Sequence, residues 1–312
     1  MVCRPRFYLS GLLAFVLSLS GCATAPGSSR VDASTQMPAS VELTHIGFYP
    51  QTQDQCGPAA LATVLESAGV VRTLTQLQAE VYVPQRQGSL QFEMLGGARR
   101  AGVLPYVLNG DLSDLWQEVA AGHPVVVLQN LRWEWLPLWH YAVLVGYDHA
   151  RQTVVLRSGE EKRLVMSVAD FETSWKRADR WAFVALSGDQ RPATATAERF
   201  VEATLTLERV APLKAQQAYQ TALEAWPRDL TARLALGNIA YKAHDLKVAQ
   251  MHYAQAVADH PRAADAWNNL AQVLYDTQQW TDAKVAVEKA LDLGGIRVDQ
   301  YKATQRLIDA AL

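Results

Sequence analysis

The C-terminal third of the chain repeats itself at a step of 34 residues. Small and apolar residues recur at this step, namely Ala215, Ala249 and Ala283; Ala222, Ala256 and Ala290; Leu236 and Leu270; Pro227 and Pro261. The rest of this region has an almost purely helical pattern. Small residues let paired helices approach closely, and a proline can end each pair. A helical pair of this length cannot bury its apolar face alone, so it must stack on its neighbours.

Gly237, Tyr253 and Trp267 complete a pattern that resembles the tetratricopeptide repeat. Two repeats, at about 230–263 and 264–296, match this pattern well. An earlier repeat, at about 196–229, keeps only its second helix in the pattern, and the final "IRVDQYKATQRLIDAAL" is typical of a capping helix. The resemblance implies an all-α domain over residues 196–312, whose surface recruits a protein partner or substrate.

The first residues have the features of an export signal. Arg4 and Arg6 precede the apolar run "FYLSGLLAFVLSLSG", which is too short and too interrupted for a good membrane span. The run ends in "LSGC", which resembles the bacterial lipobox. This resemblance implies that residues 1–21 are a signal peptide and that Cys22 carries lipid, which anchors the protein in the bilayer of the cell envelope. Ala23, where an Asp would retain a lipoprotein, favours the outer membrane facing the periplasm. An ordinary cleaved signal with a coincidental cysteine is the alternative.

Two composition changes divide the rest of the chain. Residues 22–41 have the Pro, Ser, Ala and Gly content of a flexible tether. Residues 42–187 begin with helical patterns, the last of them "DLSDLWQEVAAG" with a cap at Asp111 or Ser113, and continue with β-rich runs such as "PVVVLQ", "HYAVLVGY" and "TVVLRS". Helices first and strands later predict an α+β domain with an antiparallel sheet. The stretch "SGDQRPATATA" then predicts a linker at 188–195.

The composition is that of a folded chain without an electrostatic preference for nucleic acid. The chain has 312 residues, a formal net charge of −2 and 49% hydrophobic residues. This is enough for two domains with separate cores, and the charge gives no reason to expect a nucleic-acid partner. No pair of histidines has a spacing suited to a metal. Neither a metal nor a cofactor is expected.

Cys56 is the one cysteine of the main body of the chain. Cys3 would leave with the signal peptide and Cys22 would carry lipid, so an internal disulfide is impossible. Cys56 stands at the start of the helical pattern "CGPAALATVLESAG", where unsatisfied backbone N–H groups and the helix dipole favour a thiolate. Pro58 suits the first helical turn, and Gly57 is expected to leave room beside the sulfur for a substrate backbone. The pattern favours a reactive thiol over a buried apolar one.

"PQTQDQCGPAAL", followed much later by "HYAVLVGYD", resembles the papain-like double-glycine peptidases that trim bacteriocin leader peptides. The resemblance covers about residues 42–187. It implies peptide-bond hydrolysis through a thioester, with Cys56 as the nucleophile and His140 as the general base. Gln51 matches the oxyanion-hole glutamine, and Gln53 and Gln55 are fallbacks. The expected fold is therefore an α+β papain-like cysteine peptidase domain followed by an all-α tetratricopeptide domain.

The third catalytic residue departs from that family. Its members carry an Asp on the strand after the His strand, whereas this chain reads "VVLRSG" there. If the hairpin turns at "DHAR", His140 faces about Ser158, so Ser158 is the candidate that orients the imidazole. Asp148 would lie at the far turn, about 25 Å along the strand, and is the weaker candidate.

The aromatic stretch "LRWEWLPLWH" allows two interpretations. Trp133, Trp135 and Trp139 precede the candidate base directly and could wall a peptide groove. They could equally pack under a loop.

The sequence thus predicts a lipid-anchored cysteine peptidase whose repeats recruit a partner or substrate. Two alternatives stay open. The thioester could pass to another acceptor, giving an acyltransferase or amidase. The missing Asp favours a degenerate peptidase domain that acts as an anchored binding module.

Overall fold

The computed structural model describes residues 37–50 and 55–312. The predicted signal peptide, Cys22, most of the predicted tether, Gln51 and Gln53 lie outside the described residues. The described residues belong to one compact unit.

Four helices come first, as the sequence predicts: α1 (Cys56–Ser67), α2 (Leu74–Val81), α3 (Gln91–Arg100) and α4 (Leu112–Ala120). Helix α1 ends because Gly69 takes a left-handed φ of 80°, which lets its N–H reach the carbonyl of Glu66. Helix α2 begins with a reciprocal capping box between Thr73 and Gln76.

The start of α4 differs from the expectation. Asp111 occupies the N-cap position but its side chain makes no capping hydrogen bond, and Ser113 lies inside the helix. Asp114 accepts a hydrogen bond from the backbone N–H of Asn109 instead, at 3.2 Å from its Oδ2. A carboxylate in the first turn is still favourable for the helix dipole, so this arrangement stabilises the same end of the helix.

An antiparallel sheet follows the helices. Its order is β4 (Leu104–Val107), β9 (Ala182–Leu186), β5 (Val125–Asn130), β6 (Trp139–Asp148), β7 (Thr153–Ser158) and β8 (Glu161–Ser167), and β1 (Ser40–Glu42) pairs with the far end of β6. Helix α5 (Val168–Lys176) lies between β8 and β9 in the chain. A separate two-stranded ribbon consists of β2 (Tyr82–Val83) and β3 (Gly88–Ser89). The sequence patterns predict neither β1 to β4, whose two to four residues carry too little alternation, nor helix α5.

Helix α1 packs across β5, β6 and β9. Its side chains Leu61, Val64 and Leu65 are fully buried, and so are Val126 and Leu144 of the sheet. Burying one such side chain contributes about 2 kcal/mol. This packing fixes the N-terminus of α1, and hence Cys56, relative to the strands.

The repeats form seven helices: α6 (Ala197–Glu208), α7 (Pro212–Ala225), α8 (Leu230–Lys242), α9 (Leu246–Asp259), α10 (Ala264–Asp276), α11 (Trp280–Leu293) and α12 (Val298–Asp309). The starts of α7, α9 and α11 repeat the 34-residue step of the sequence. Within a pair, a Cβ added at Gly237 of α8 would lie 2.5 Å from the ring of Tyr253 in α9. The helices therefore approach as closely as the small residues predict.

The segment before the repeats is tied to the first domain by a buried carboxylate. Glu118 of α4 has no exposed surface, and its oxygens accept hydrogen bonds from the backbone N–H groups of Ala193 and Thr194 at 3.1 and 2.8 Å. His123 lies 2.7 Å from the same carboxylate. Burial raises the pKa of Glu118, but the hydrogen bonds from His123 and Thr194 outweigh it, so the pKa falls below its ordinary value.

Buried residues of α6, α7 and α8 belong to the same hydrophobic core as the sheet. Phe200 and Tyr219 are fully buried in this core. The later repeats form a second core around Tyr253 and Leu270. Within the part of the chain that the structure describes, no helix is both long and apolar enough to cross a bilayer.

Candidate active site

Cys56 is the first residue of α1 and is half-buried against the core. Gln55, the N-cap residue, makes no side-chain capping hydrogen bond. The N–H groups of the first helical turn have no intrahelical acceptor, so they point toward the sulfur end of the helix. This is an arrangement that can stabilise a thiolate or the oxyanion of a tetrahedral intermediate.

The space beside Gly57 is already occupied by the chain itself. A Cβ at Gly57 would lie 2.3 Å from Oγ of Ser89 and 3.2 Å from Sδ of Met94. The expectation that this glycine leaves room for a substrate backbone is therefore wrong. Its missing side chain admits the β2–β3 ribbon, which packs directly against the start of α1.

His140 is the second residue of β6 and lies opposite Gln129 of β5. Its Nε2 lies 2.8 Å from Oγ of Ser158. Burial lowers the pKa of the imidazole, because a charged ring loses its hydration there. Burial thus favours the neutral imidazole, which is the form that accepts a proton.

Ser158 ends β7 and reaches the imidazole across the β6–β7 hairpin. The two strands pair through Val143 and Arg157, with an irregularity between Leu144 and Gly146. The length of the hairpin predicts that Ser158 lies beside His140, and the hydrogen bond between the two side chains is found in the structure. If Nε2–H donates to the hydroxyl, Nδ1 keeps its lone pair and can accept the proton of a thiol.

Asp148 lies at the opposite end of this hairpin. It pairs with Thr153, and its Oδ1 accepts a hydrogen bond from the backbone N–H of Arg151 at 2.9 Å. Its other oxygen forms an exposed ion pair with the Arg151 side chain at 3.4 Å. Asp148 thus shapes the turn and does not contact His140.

Tyr141 was missed by sequence analysis, although it follows His140 directly. Its hydroxyl donates a hydrogen bond to the carbonyl oxygen of Ser89 at 3.2 Å. Burial, and then the negative charge of Cys56, raise the pKa of this phenol, so its hydroxyl keeps its proton and can donate this hydrogen bond. Tyr141 therefore connects the His strand to the ribbon that packs on α1. The one feature of the sequence that could have indicated Tyr141 is its position directly after the candidate base.

Cys56, His140 and Tyr141 line one cavity of about 950 Å³. Leu131 and Leu138 of the β5–β6 loop and Trp139, the first residue of β6, line it too. Such a cavity is large enough for a peptide segment. The structure thus brings the predicted nucleophile and base to one apolar cavity.

Only one of the three tryptophans lines this cavity. Trp139 does, whereas Trp133 and Trp135 stack on each other at 5.5 Å and are 57% and 77% exposed. The second interpretation, packing under the loop, does not hold for this pair. Asn130 holds the loop through hydrogen bonds to its backbone, including one from the N–H of Leu138 at 3.0 Å.

The candidate oxyanion residues are placed only in part. Gln51, the preferred one, and Gln53 lie outside the described residues, whereas Gln55 is half-buried directly before Cys56. Among the described residues, no cluster of three or more His, Cys, Asp or Glu side chains could hold a metal ion.

Comparisons with known proteins match both halves of the chain. Residues 43–183 match the model of the Peptidase_C39 like family, and residues 212–249 and 234–294 match a tetratricopeptide repeat model. A comparison with curated proteins finds no match.

Three solved structures resemble parts of the chain. A protein described as a C39-like peptidase from Bacillus anthracis is 19% identical over 49% of this chain and 98% of its own, with a TM-score of 0.42. The peptidase domain of Streptococcus ComA, a bi-functional ABC transporter involved in a quorum-sensing pathway, is 19% identical over 46% of this chain and 98% of its own, with a TM-score of 0.38. The first tetratricopeptide domain of Spaghetti, bound to an HSP90 peptide, is 18% identical over 37% of this chain and 91% of its own, with a TM-score of 0.34.

The chain therefore consists of an α+β antiparallel-sheet domain that matches the Peptidase_C39 like family over residues 43–183, followed by a helical region that matches tetratricopeptide repeats.

Proposed function

We propose that the protein is a cysteine peptidase of the cell envelope whose repeats hold a protein partner or substrate. The observation that carries the proposal is the shared cavity of Cys56 and His140, in which Ser158 fixes the imidazole through a 2.8 Å contact. A thiol at a helix N-terminus and a buried neutral imidazole are the two groups that thioester chemistry needs.

The reaction divides into two steps. His140 takes the Cys56 proton, and the sulfur attacks the carbonyl carbon of the scissile bond. The tetrahedral intermediate collapses to a thioester as the C–N bond breaks and His140 returns the proton to the leaving amine. His140 then deprotonates water, which attacks the thioester carbon, and the released thiol regains its proton while the carboxylic acid leaves.

The backbone N–H of Cys56 and the side chain of Gln51 are the proposed oxyanion donors. The N–H is one of the unsatisfied donors at the start of α1, which is why it suits this role. Removing a side-chain donor of this kind typically lowers kcat by about 10²–10³-fold. Gln51→Ala should have this effect, and Gln53→Ala should have little.

The serine in place of a carboxylate supports a second candidate function. A hydroxyl orients an imidazole but adds no negative charge to stabilise the imidazolium that forms. A domain that has lost turnover and only binds peptides would show the same replacement. Transfer of the acyl group to an acceptor other than water, or amide hydrolysis of a non-peptide, would use the same Cys56 and His140.

A peptide probe with a thiol-reactive end separates these candidates. We expect it to label Cys56 in the full chain, to fail in Cys56→Ser, and to slow strongly in His140→Ala. Mass spectrometry of a peptide library incubated with the protein should then show cleaved products that Cys56→Ser does not form. If the probe labels Cys56 but no cleaved or transferred product forms, in water or with added amine acceptors, the domain only binds peptides.

The proposed location rests on the lipobox-like "LSGC" alone. Cys22→Ala should remove the lipid and release the protein from the membrane fraction, because residues 23–41 contain no apolar run that could hold it there. Mass spectrometry of the mature N-terminus would show the lipid directly. A Cys22→Ala protein that stays in the membrane fraction through lipid extraction would contradict the anchor.

A further inference from the structure

Two exposed charged residues stand on the rim of the apolar cavity. Arg86 belongs to a single 3-10 turn, Pro84–Arg86, between β2 and β3. Asp179 belongs to the turn between α5 and β9. Arg86 thus lies on the β2–β3 ribbon, which packs on α1, whereas Asp179 lies just before strand β9 of the sheet. Apolar side chains line the same cavity, among them Ala178, Leu131 and Trp139.

The backbone holds Asp179 in an unusual conformation. Asp179 and Arg180 both lie in the left-handed region, with φ of 52° and 53°, which residues with a Cβ rarely adopt in succession. The turn is held by hydrogen bonds from their N–H groups to the carbonyls of Lys176 and Trp175, at 3.1 and 3.0 Å. Trp175 is itself fully buried. Asp179 is therefore presented to the cavity on a fixed support, as is common for residues that contact ligands.

The charge of Asp179 is not neutralised by its neighbours. Arg180 points to Glu172, with 3.0 Å between Nη2 and Oε1. Among the residues that the structure describes, no Lys, Arg or His nitrogen lies within 4.0 Å of the Asp179 carboxylate. An uncompensated charge beside a low-dielectric wall attracts opposite charge into the cavity.

We propose that Asp179 is a specificity-determining residue that binds a cationic group of the substrate, an ammonium or a guanidinium, beside the apolar wall. As a statement about a substrate, this rests on the proposed peptidase function. Arg86, which also lines the cavity, repels the same cation. The cation could be a Lys or Arg side chain or the N-terminal amine of a peptide, and the experiment distinguishes these sources.

The first arm needs no peptidase activity. The full chain is treated with two methanethiosulfonates of similar size, one with a trimethylammonium group and one with a sulfonate, and modification of Cys56 is followed by mass spectrometry. Asp179→Asn should lower the ratio of the cationic to the anionic rate about threefold at low salt. Glu160→Gln is the matched control, because Glu160 is exposed near the site but does not line the cavity. An unchanged ratio in Asp179→Asn, or an equal change in Glu160→Gln, overturns the proposal.

The second arm uses peptides that differ only in charge. Asp179→Asn should raise KM about two- to fivefold for peptides with Lys or Arg, leave kcat unchanged, and leave peptides with norleucine unaffected. Acetylation of the N-terminus abolishes the preference if the amine is the bound cation and leaves it intact if a side chain is. Equal cleavage of all peptides by both proteins contradicts the role of Asp179. If no peptide is cleaved while the reagent ratio falls, the peptidase function fails and the cation preference of the cavity stands.

Discussion

At the residue scale, the hydroxyl of Ser158 helps to orient the imidazole of His140. Ser158 is 9% exposed and lies 2.8 Å from Nε2. A neutral hydrogen bond of this kind contributes about 1 kcal/mol, which corresponds to roughly a fivefold effect on a rate. A hydroxyl stabilises the imidazolium less than a carboxylate does. Replacing Ser158 with an acidic residue should therefore increase activity.

We therefore expect Ser158→Ala to lower kcat/KM about fivefold and Ser158→Asp to raise it. The added carboxylate stabilises the imidazolium, so it should also move the acidic limb of the pH profile to higher pH. Asp148→Asn is the matched control and should leave kcat/KM within about twofold, because Asp148 lies at the far turn. Loss of activity in Asp148→Asn, with Ser158→Ala active, would contradict the assigned roles.

The buried imidazole predicts how activity depends on pH. Because burial lowers the pKa of His140 below 6.5, the ring stays neutral and able to accept a proton down to that lower pH. The acidic limb of kcat/KM should therefore fall below pH 6.5. An acidic limb above pH 6.5 would show that the charge of the neighbouring thiolate outweighs burial.

The stability of the folded protein should also decrease at acidic pH because of His140. The unfolded chain binds a proton at His140 near pH 6.5, and the folded chain only below that, so the stability present above pH 6.5 is lost as the pH falls through the folded pKa. His140→Gln removes this titration. Its thermal midpoint should decline less with acidification than that of the parent protein.

At the element scale, the repeats depend on close contacts between paired helices. Tyr253 is 3% exposed, and its hydroxyl donates to Oδ1 of Asn238 at 2.8 Å, so its ring cannot move away from α8. A side chain at Gly237 would meet this ring at 2.5 Å. The contact explains why a glycine occupies this position of α8.

Gly237→Ala should lower the free energy of unfolding by about 1–3 kcal/mol, because the overlap forces α8 and α9 apart. Gly96→Ala is the matched control within a helix. A Cβ at Gly96 meets only the end of the Arg100 side chain, at 3.0 Å, so this change should be neutral or stabilising by up to about 1 kcal/mol. Chemical denaturation measures the change in the free energy of unfolding for both variants. Equal midpoints for the two variants would show that α8 and α9 tolerate the extra atom.

The helices α1 to α4, the repeat helices and the strands β5 to β9 could be predicted because each carries its own local pattern, whereas helix α5, between β8 and β9, was not predicted. The alternation of "TVVLRS" and the helical stripe of "CGPAALATVLESAG" arise within a few residues. The short strands β1 to β4 could not be predicted. β1 and β4 pair with distant strands, as when Leu104 pairs with Leu186, and β2 and β3 have only two residues each.

At the scale of the whole molecule, the first repeat is part of the core of the peptidase-like domain. Phe200 and Tyr219 pack in the same core as the sheet, and Glu118 binds the backbone of residues 193–194. The position of the first repeat relative to the active site is thereby set by packing. A partner held by the repeats would sit at a constant place relative to the cavity.

A chain that ends after Ser187 should unfold at a markedly lower temperature than the full protein. Each large buried side chain of α6 and α7 contributes about 2 kcal/mol, and the loss of several is comparable with a total stability of about 5–15 kcal/mol. A chain that ends after Leu293 lacks only α12, which packs on α10 and α11, and should keep the peptidase-like domain intact. Hydrogen exchange of β4 and β9 distinguishes the two. Full protection of both strands in the shorter chain would contradict the shared core.

The amino-acid sequence alone determined the two-part architecture, the helical repeats and the positions of Cys56 and His140 at the ends of their elements. These features depend on residues that are close in the chain, so periodicity and capping reveal them. Even the approach of Ser158 to His140 followed from the length of one hairpin.

Only the tertiary structure decided which distant groups meet. The contact of Tyr141 with Ser89, the occupation of the space beside Gly57 and the burial of Glu118 join residues that are tens of positions apart. Such contacts arise when packed elements exclude water and each buried polar group must find an acceptor or donor nearby. No local pattern specifies which group that is, because the choice depends on the positions of all the packed elements at once.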